Sequence, residues 1–200
     1  MKKLLLLLLF IPLVSFGQDE LKLFIKGKNN FEKENYNKAS TYLNNALELN
    51  PSYVDAHFYT GLLNTKLKLY DKAILNYNKV LELDLYNELA YLNRGRINYI
   101  LKNREAAQSD FKNAIEIDSK FIEAYDNLVL VSQSLKDYKT GLLAITKLIE
   151  FNPDFRNFFR RGLIKYRMGD MVGACKDAKK SKKLNPNSSL VNQLIKNSCN

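Results

Sequence analysis

Side chains able to do covalent or metal chemistry are scarce in this chain of 200 residues: one histidine, His57, and two cysteines, Cys175 and Cys199. A structural metal site needs about four Cys, His or carboxylate ligands, and a nucleophile needs a base within hydrogen-bond reach. His57 has no second His to join, and neither Cys stands in a CxxC pair. No HExxH, GxSxG or P-loop pattern occurs. The chain therefore reads as non-enzymatic, with no catalytic residue, no cofactor and no metal expected. What remains at fixed spacing is ionic. Arg94 and Asp110 are sixteen residues apart, and so are Arg161 and Asp177. Arg more often forms a structural pair than a ligand anchor, so two bridges between helices are expected, with the ligand-anchor reading left open.

The elements that must position these groups follow from composition and period. With 46% hydrophobic and 12% aromatic residues the chain is not intrinsically disordered. Eight Gly and four Pro are too few for a loop-rich β-sandwich. Self-comparison finds a period: Gly27, Gly61 and Gly95 recur every 34 residues, as do Ala39, Ala73 and Ala107. Pro51 and Pro153 lie three periods apart, and a further copy, one residue early, has Gly162, Ala174 and Pro186. Each copy holds two apolar patterns of helical spacing, broken near Asn35, Leu69, Asn103, Asp137 and Asp170. Helix pairs of roughly 14 residues per helix, joined by short turns, satisfy that pattern.

The small columns mark where two helices approach closely. The fourth copy carries Val129 in the Gly column and Gly141 in the Ala column, a volume compensation that predicts contact between the two. Tyr77 and Phe111 share one aromatic column, and Tyr91, Tyr125 and Phe158 another, with His57 in the latter. These read as packing between helices, so His57 is expected to be a packed residue. After Pro186 the period stops, and Leu190, Val191, Leu194 and Ile195 form one apolar stripe, the pattern of a capping helix.

On these columns the chain resembles the tetratricopeptide repeat family over about residues 20–186. The resemblance implies an all-α fold, an α-solenoid of about five antiparallel helix pairs plus a C-terminal capping helix. The repeats are expected over about 20–53, 54–87, 88–121, 122–154 and 155–187, and the cap over 188–198. It also implies a concave groove lined by the first helices, the usual ligand surface of the family. Spacing places Phe58, Tyr59, Leu62, Leu92, Asn93, Arg96, Tyr99, Asp126, Asn127, Leu130, Arg156, Phe159, Arg160 and Leu163 there. Rings and amides of this kind suit an extended peptide; a merely solvated groove is the alternative. The carboxylate clamp of some family members is largely missing, because the corresponding positions include Phe24, Lys28, Tyr59, Leu89 and Asn93.

The two ends carry separate signals. Residues 1–17 combine Lys2 and Lys3, an apolar run from Leu4 to Val14, and Ser15 and Gly17 before Gln18. That is the layout of a secretory signal peptide, too short to span a bilayer. A mature chain over 18–200, periplasmic or secreted, without a transmembrane span, is expected, with an uncleaved N-terminal anchor as the alternative. The net charge of +10 is concentrated late: residues 155–186 hold ten basic and two acidic side chains. Lys176, Lys179, Lys180, Lys182 and Lys183 crowd one helix there. They read either as a solvated face or as a docking patch for an anionic envelope surface or another polyanion. Nucleic acid fits the charge but not the leader, and no base-reading motif is present. Cys175 lies 11 residues before Pro186 and Cys199 lies 13 after it, so a fold-back around Pro186 brings them level; a disulfide is expected in an oxidising compartment, against two free thiols. The function implied is an exported scaffold or adaptor for a peptide or protein partner, with envelope attachment through the last repeat as the alternative.

Overall fold

A computed structural model describes the backbone of residues 13–199 and the side chains of residues 18–199. Among the described residues there are eleven helices and no strand: α1 (Leu13–Glu32), α2 (Tyr36–Leu49), α3 (Val54–Lys66), α4 (Tyr70–Leu83), α5 (Glu88–Ile100), α6 (Arg104–Ile117), α7 (Ile122–Ser134), α8 (Tyr138–Phe151), α9 (Phe155–Arg167), α10 (Met171–Leu184) and α11 (Ser189–Ser198). The leader expected over 1–17 lies outside the described residues up to position 12, and α1 begins at Leu13.

Each helix pair has the same construction. From α3 onward the odd-numbered helices of the pairs have 13 residues and their even-numbered partners 14. The turn between them is set by one residue in the left-handed region: Glu34, Lys68, Lys102 and Lys136, at φ of 60°, 59°, 67° and 60°, then Gly169 at 83°. In every copy the next backbone N–H reaches back five residues to close the helix end: Asn35 to Asn30, Leu69 to Asn64, Asn103 to Asn98, Asp137 to Ser132 and Asp170 to Lys165, at 2.8–2.9 Å. This Schellman closure satisfies carbonyls that the helix itself leaves open. Asp137 and Asp170 then cap the following helix with their carboxylates, accepting from the N–H of Thr140 and Gly173.

The chain divides into two compact units, residues up to Asn93 and residues from Arg94. In the first unit α1 packs on α2, α3 on α4, and α2 and α1 on α3. Phe24, Leu43, Ala39, Ala46, Ala56 and Leu63 form one buried cluster there. In the second unit α7 packs on α8, α9 on α10, and α6 and α8 against the pair that follows each; α11 closes on α10 and α9. Its core holds Phe111, Val129, Val131, Ile145 and Ile164, each at most 1% exposed.

The Gly column marks close approach, but its partner lies one helical turn beyond the Ala column. A Cβ at Gly27 would sit 2.8 Å from Leu43, at Gly61 2.7 Å from the Tyr77 ring, and at Gly95 2.8 Å from the Phe111 ring. The expected Val129–Gly141 compensation is corrected: a Cβ at Gly141 would meet Ser132 and Ile164 at 3.4 and 3.5 Å, and Val129 is not among its neighbours. Gly141 sits between Ser132 of its own pair, one turn along α7 from Val129, and Ile164 of the following pair.

The two sixteen-residue ion pairs form. Arg94 donates Nη2 to Asp110 Oδ1 at 2.6 Å, and Arg161 donates Nη2 to Asp177 Oδ1 at 2.7 Å. Each has a third member that spacing did not reveal: Asn98 donates to Asp110 at 3.1 Å, and Lys165 stands 2.8 Å from Asp177. Asn98 and Lys165 lie one helical turn after the Arg, on its face. In the first copy the same pair of positions holds Lys26 above the Tyr42 ring at 5.7 Å, and in the fourth the buried apolar residues Leu128 and Ala144. One contact is thus made with three chemistries.

Candidate functional site

The expected groove residues fall on α3 and α5 in the first unit. Tyr59 is held edge-on by Phe24 and Phe31, with ring centroids 5.4 and 5.9 Å away. The ammonium of Lys28 lies over the same ring at 5.5 Å, and the hydrogen bond and charge of Tyr59 raise its pKa. With Asp55, Phe58, Asn87 and Leu89, the side chains of Phe24, Lys28 and Tyr59 line a pocket of about 320 Å³. Rings and one aliphatic side chain form its apolar wall, and one cation and one carboxylate stand at its polar edge. Phe58 also leans on the buried Tyr77 ring at 5.9 Å. Burial pushes the Tyr77 hydroxyl up to about 12, against its hydrogen bond with Thr65. Leu62 is half-buried, and Asn93 turns its amide to the Leu89 carbonyl at 2.8 Å. Leu92 is corrected: at 3% exposure it belongs to the core, because the apolar stripe of α5 is broader than the spacing of the small column suggested.

In the second unit the groove residues are held by each other. Arg160 on α9 forms an ion pair with Asp126 on α7, 34 residues earlier in the chain. Arg156 grips Asp154 with Nη2 and Nε at 3.0 and 3.2 Å. Burial pushes the Asp154 carboxyl up, but hydrogen bonds from Arg156 and its backbone N–H outweigh this and hold it below the usual carboxylate range. With Ile122, Glu123, Leu148, Asn152 and Asn157 these four residues line a pocket of about 380 Å³. Both arginines are already neutralised, so an incoming carboxylate must displace Asp126 or Asp154. Asn127 donates to the Glu123 carbonyl at 2.7 Å, Arg96 and Leu130 are exposed, and Tyr99, Phe159 and Leu163 are half-buried.

The remaining expected sites lie at the C-terminal end. Lys176, Lys179, Lys180, Lys182 and Lys183 are all exposed on α10. Cys175 on α10 and Cys199 at the end of α11 form a disulfide, with Cα atoms 5.0 Å apart. His57 is held locally, its Nε2 2.9 Å from the Pro51 carbonyl oxygen and its Nδ1 3.3 Å from Asn76 Oδ1. Among the described residues no three His, Cys, Asp or Glu side chains gather as metal ligands, and no helix is long and apolar enough to cross a membrane.

Repeated pairs of helices, a recurring left-handed turn and side-chain pockets on the first helices define a helical-repeat scaffold of the α-solenoid class. The tetratricopeptide repeat family model matches this chain over residues 23–53, 60–87 and 89–121. Solved structures with the same fold include the MamA protein (23% identity, TM-score 0.77, covering 85% of this chain and 93% of that one). YrrB, described as a TPR protein with an unusual peptide-binding site, aligns at 17% identity with a TM-score of 0.78, covering 91% of this chain and 98% of its own. The first TPR of Spaghetti (RPAP3), solved with the HSP90 peptide SRMEEVD, aligns at 24% identity and TM-score 0.58, covering 60% of this chain and 94% of its own. No curated protein matches the sequence.

Proposed function

We propose that this chain is an exported adaptor that holds a peptide or protein segment against its first helices. The observation that carries the reading is the pair of pockets on those helices, one walled by Phe24, Phe58, Tyr59 and Leu89, the other edged by Asp126, Arg156 and Arg160. Aromatic anchors beside charged groups are the usual chemistry of peptide recognition. YrrB and RPAP3, by their descriptions, bind peptides on the same fold. Export rests on the N-terminal leader pattern and is supported by the disulfide, which persists in oxidising compartments. A pull-down from envelope extract tests the reading. A partner held by the native protein and lost from a variant with Arg96, Asn127 and Arg160 replaced by Ala supports it. Equal capture by both, and by a variant with Phe58 and Tyr59 replaced by Ala, excludes the first helices.

A second reading has its own observation. The five exposed lysines of α10 suit attachment to an anionic envelope surface, independently of any ligand on the first helices.

A further inference from the structure

The last repeat reverses a charge that the other four copies keep. One column of the second helices reads Glu48, Glu82, Glu116 and Glu150, then Lys183. In two copies that Glu pairs with a Lys three residues earlier, Lys79 with Glu82 and Lys147 with Glu150, both at 2.8 Å. The last copy keeps the Lys of that pair, as Lys180, and replaces its partner with Lys183. Lys180 turns instead over the Phe158 ring at 5.8 Å.

The change leaves an outward stripe. Ala174, Asp177, Ala178 and Ser181 are the buried residues of α10. Opposite them Val172, Lys176, Lys179 and Lys183 follow at intervals of four, three and four residues, all exposed. The stripe is about 16 Å long at a helical rise of 1.5 Å per residue. Among the described residues Lys176, Lys179 and Lys183 have no ion-pair partner, and Asp177 points inward to Arg161 and Lys165. Like charges three and four residues apart weaken a helix. The helix dipole offsets this only in the last turn, at Lys182 and Lys183. Fold stability therefore does not account for Lys176 and Lys179, whereas Lys180 has its contact with the Phe158 ring.

Resting on the attachment reading, we infer that this stripe is a docking face for an anionic phospholipid surface, centred on Lys179 and Lys183. Its chemistry favours lipid over an acidic protein. All five cations of α10 are Lys, hydrated point charges that read charge density rather than the fixed fork geometry an Arg would read. Apolar side chains stand bare at its N-terminal end, with Val172 83% and Met171 43% exposed, where they can enter the headgroup layer while the lysines meet phosphates.

Co-sedimentation of the protein with vesicles of phosphatidylcholine, with and without phosphatidylglycerol, tests this. Lys183→Glu restores the residue of the other four copies and rebuilds the Lys180 pair, so it leaves helix content unchanged by circular dichroism. The native protein sediments with the anionic vesicles only, and added salt releases it. Lys183→Glu changes the stripe by two charges and lowers the partition about 25-fold, at roughly fivefold per charge. Val172→Asp weakens binding further without touching a lysine. Absence of native binding to anionic vesicles, or retention on immobilised polyglutamate but not on vesicles, overturns the inference. So does Lys183→Glu binding like the native chain; if reversal of all five lysines then abolishes binding, attachment through the last repeat stands and only the stripe fails.

Discussion

Arg161 and Asp177, sixteen residues apart in the chain, meet across α9 and α10 with Nη2 2.7 Å from Oδ1 and Nε 2.8 Å from Oδ2. Lys165 completes the cluster at 2.8 Å. The Asp177 side chain is 3% exposed, and those of Arg161 and Lys165 are 18% and 19% exposed. Removing the carboxylate leaves two cations in a mostly dry seam. Asp177→Ala is expected to cost about 3 kcal/mol, the low end for breaking a buried pair because both cations keep some water. Urea unfolding reads this directly. A loss below about 0.5 kcal/mol, the scale of an ordinary surface change, would contradict the structural role.

The same carboxyl predicts an acid-labile fold. Burial pushes the Asp177 carboxyl up, but the hydrogen bonds and charges of Arg161 and Lys165 outweigh it and lower its pKa. A carboxyl with a depressed folded value stabilises the protein above its unfolded pKa of about 3.9, and loses that contribution as pH falls through the folded value. Asp137 and Asp154 are lowered in the same sense. Stability of the native chain should fall steeply below about pH 4. Asp177→Asn should flatten that limb in melting curves taken from pH 7 downward. An unchanged acid limb would show that Asp177 does not carry it.

Three glycines separate two causes of a glycine requirement from a position that has none. Gly61→Ala places a methyl 2.7 Å from the rigid, fully buried Tyr77 ring and is expected to cost about 1–3 kcal/mol by overpacking. Gly169→Ala meets no atom within 4 Å but sits at φ of 83°, so about 1–2 kcal/mol of backbone strain is expected. Gly141→Ala makes only ordinary contacts at 3.4 and 3.5 Å and should be stabilising by up to about 1 kcal/mol, from helix propensity. Thermal melts of the three variants give the order Gly141→Ala, Gly169→Ala, Gly61→Ala from most to least stable.

Cross-linking of the cap should be measurable in isolation. The Cys175–Cys199 bridge closes a loop with a sequence separation of 24, worth about 3 kcal/mol on the chain-entropy model. The ten-residue α11 is too short to persist alone and rests on Val191 and Leu194, which are 1% and 4% exposed. Reduction, or a Cys175→Ser and Cys199→Ser double variant, should speed proteolysis after residue 186 while the earlier helices stay protected. Equal cleavage with and without the bridge would show that packing alone holds the cap.

Much of the architecture was legible because its causes are periodic. Gly61 and Ala73 recur every 34 residues since two helices must touch there, and Arg161–Asp177 could be found because both partners change together in the same copies. Other features left no periodic mark in residue type. The left-handed turn residue is Glu34, Lys68, Lys102 or Lys136 in four copies and only once Gly169, so composition concealed a constant backbone. Asn98 and Lys165 differ in type yet do the same work toward Asp110 and Asp177. Gly141 and Val129 suggested a contact by coincidence of size, while the geometry sets Gly141 against Ser132 and Ile164. Leu92 went to the groove on spacing because a single column cannot show how wide a buried face is. The pocket around Tyr59 depends on ring orientation, and the neutralising of Arg160 by Asp126 on packing between successive pairs; neither is written in spacing.

Binding on the first helices is tested most directly by fluorescence anisotropy with a labelled peptide selected from a random library on the native protein. The account predicts micromolar binding that weakens at least about tenfold, roughly 1.4 kcal/mol, in an Arg96→Ala, Asn127→Ala, Arg160→Ala variant and is unchanged by Lys183→Glu. Failure to select any peptide, or equal binding to the native chain and the triple variant, would contradict it.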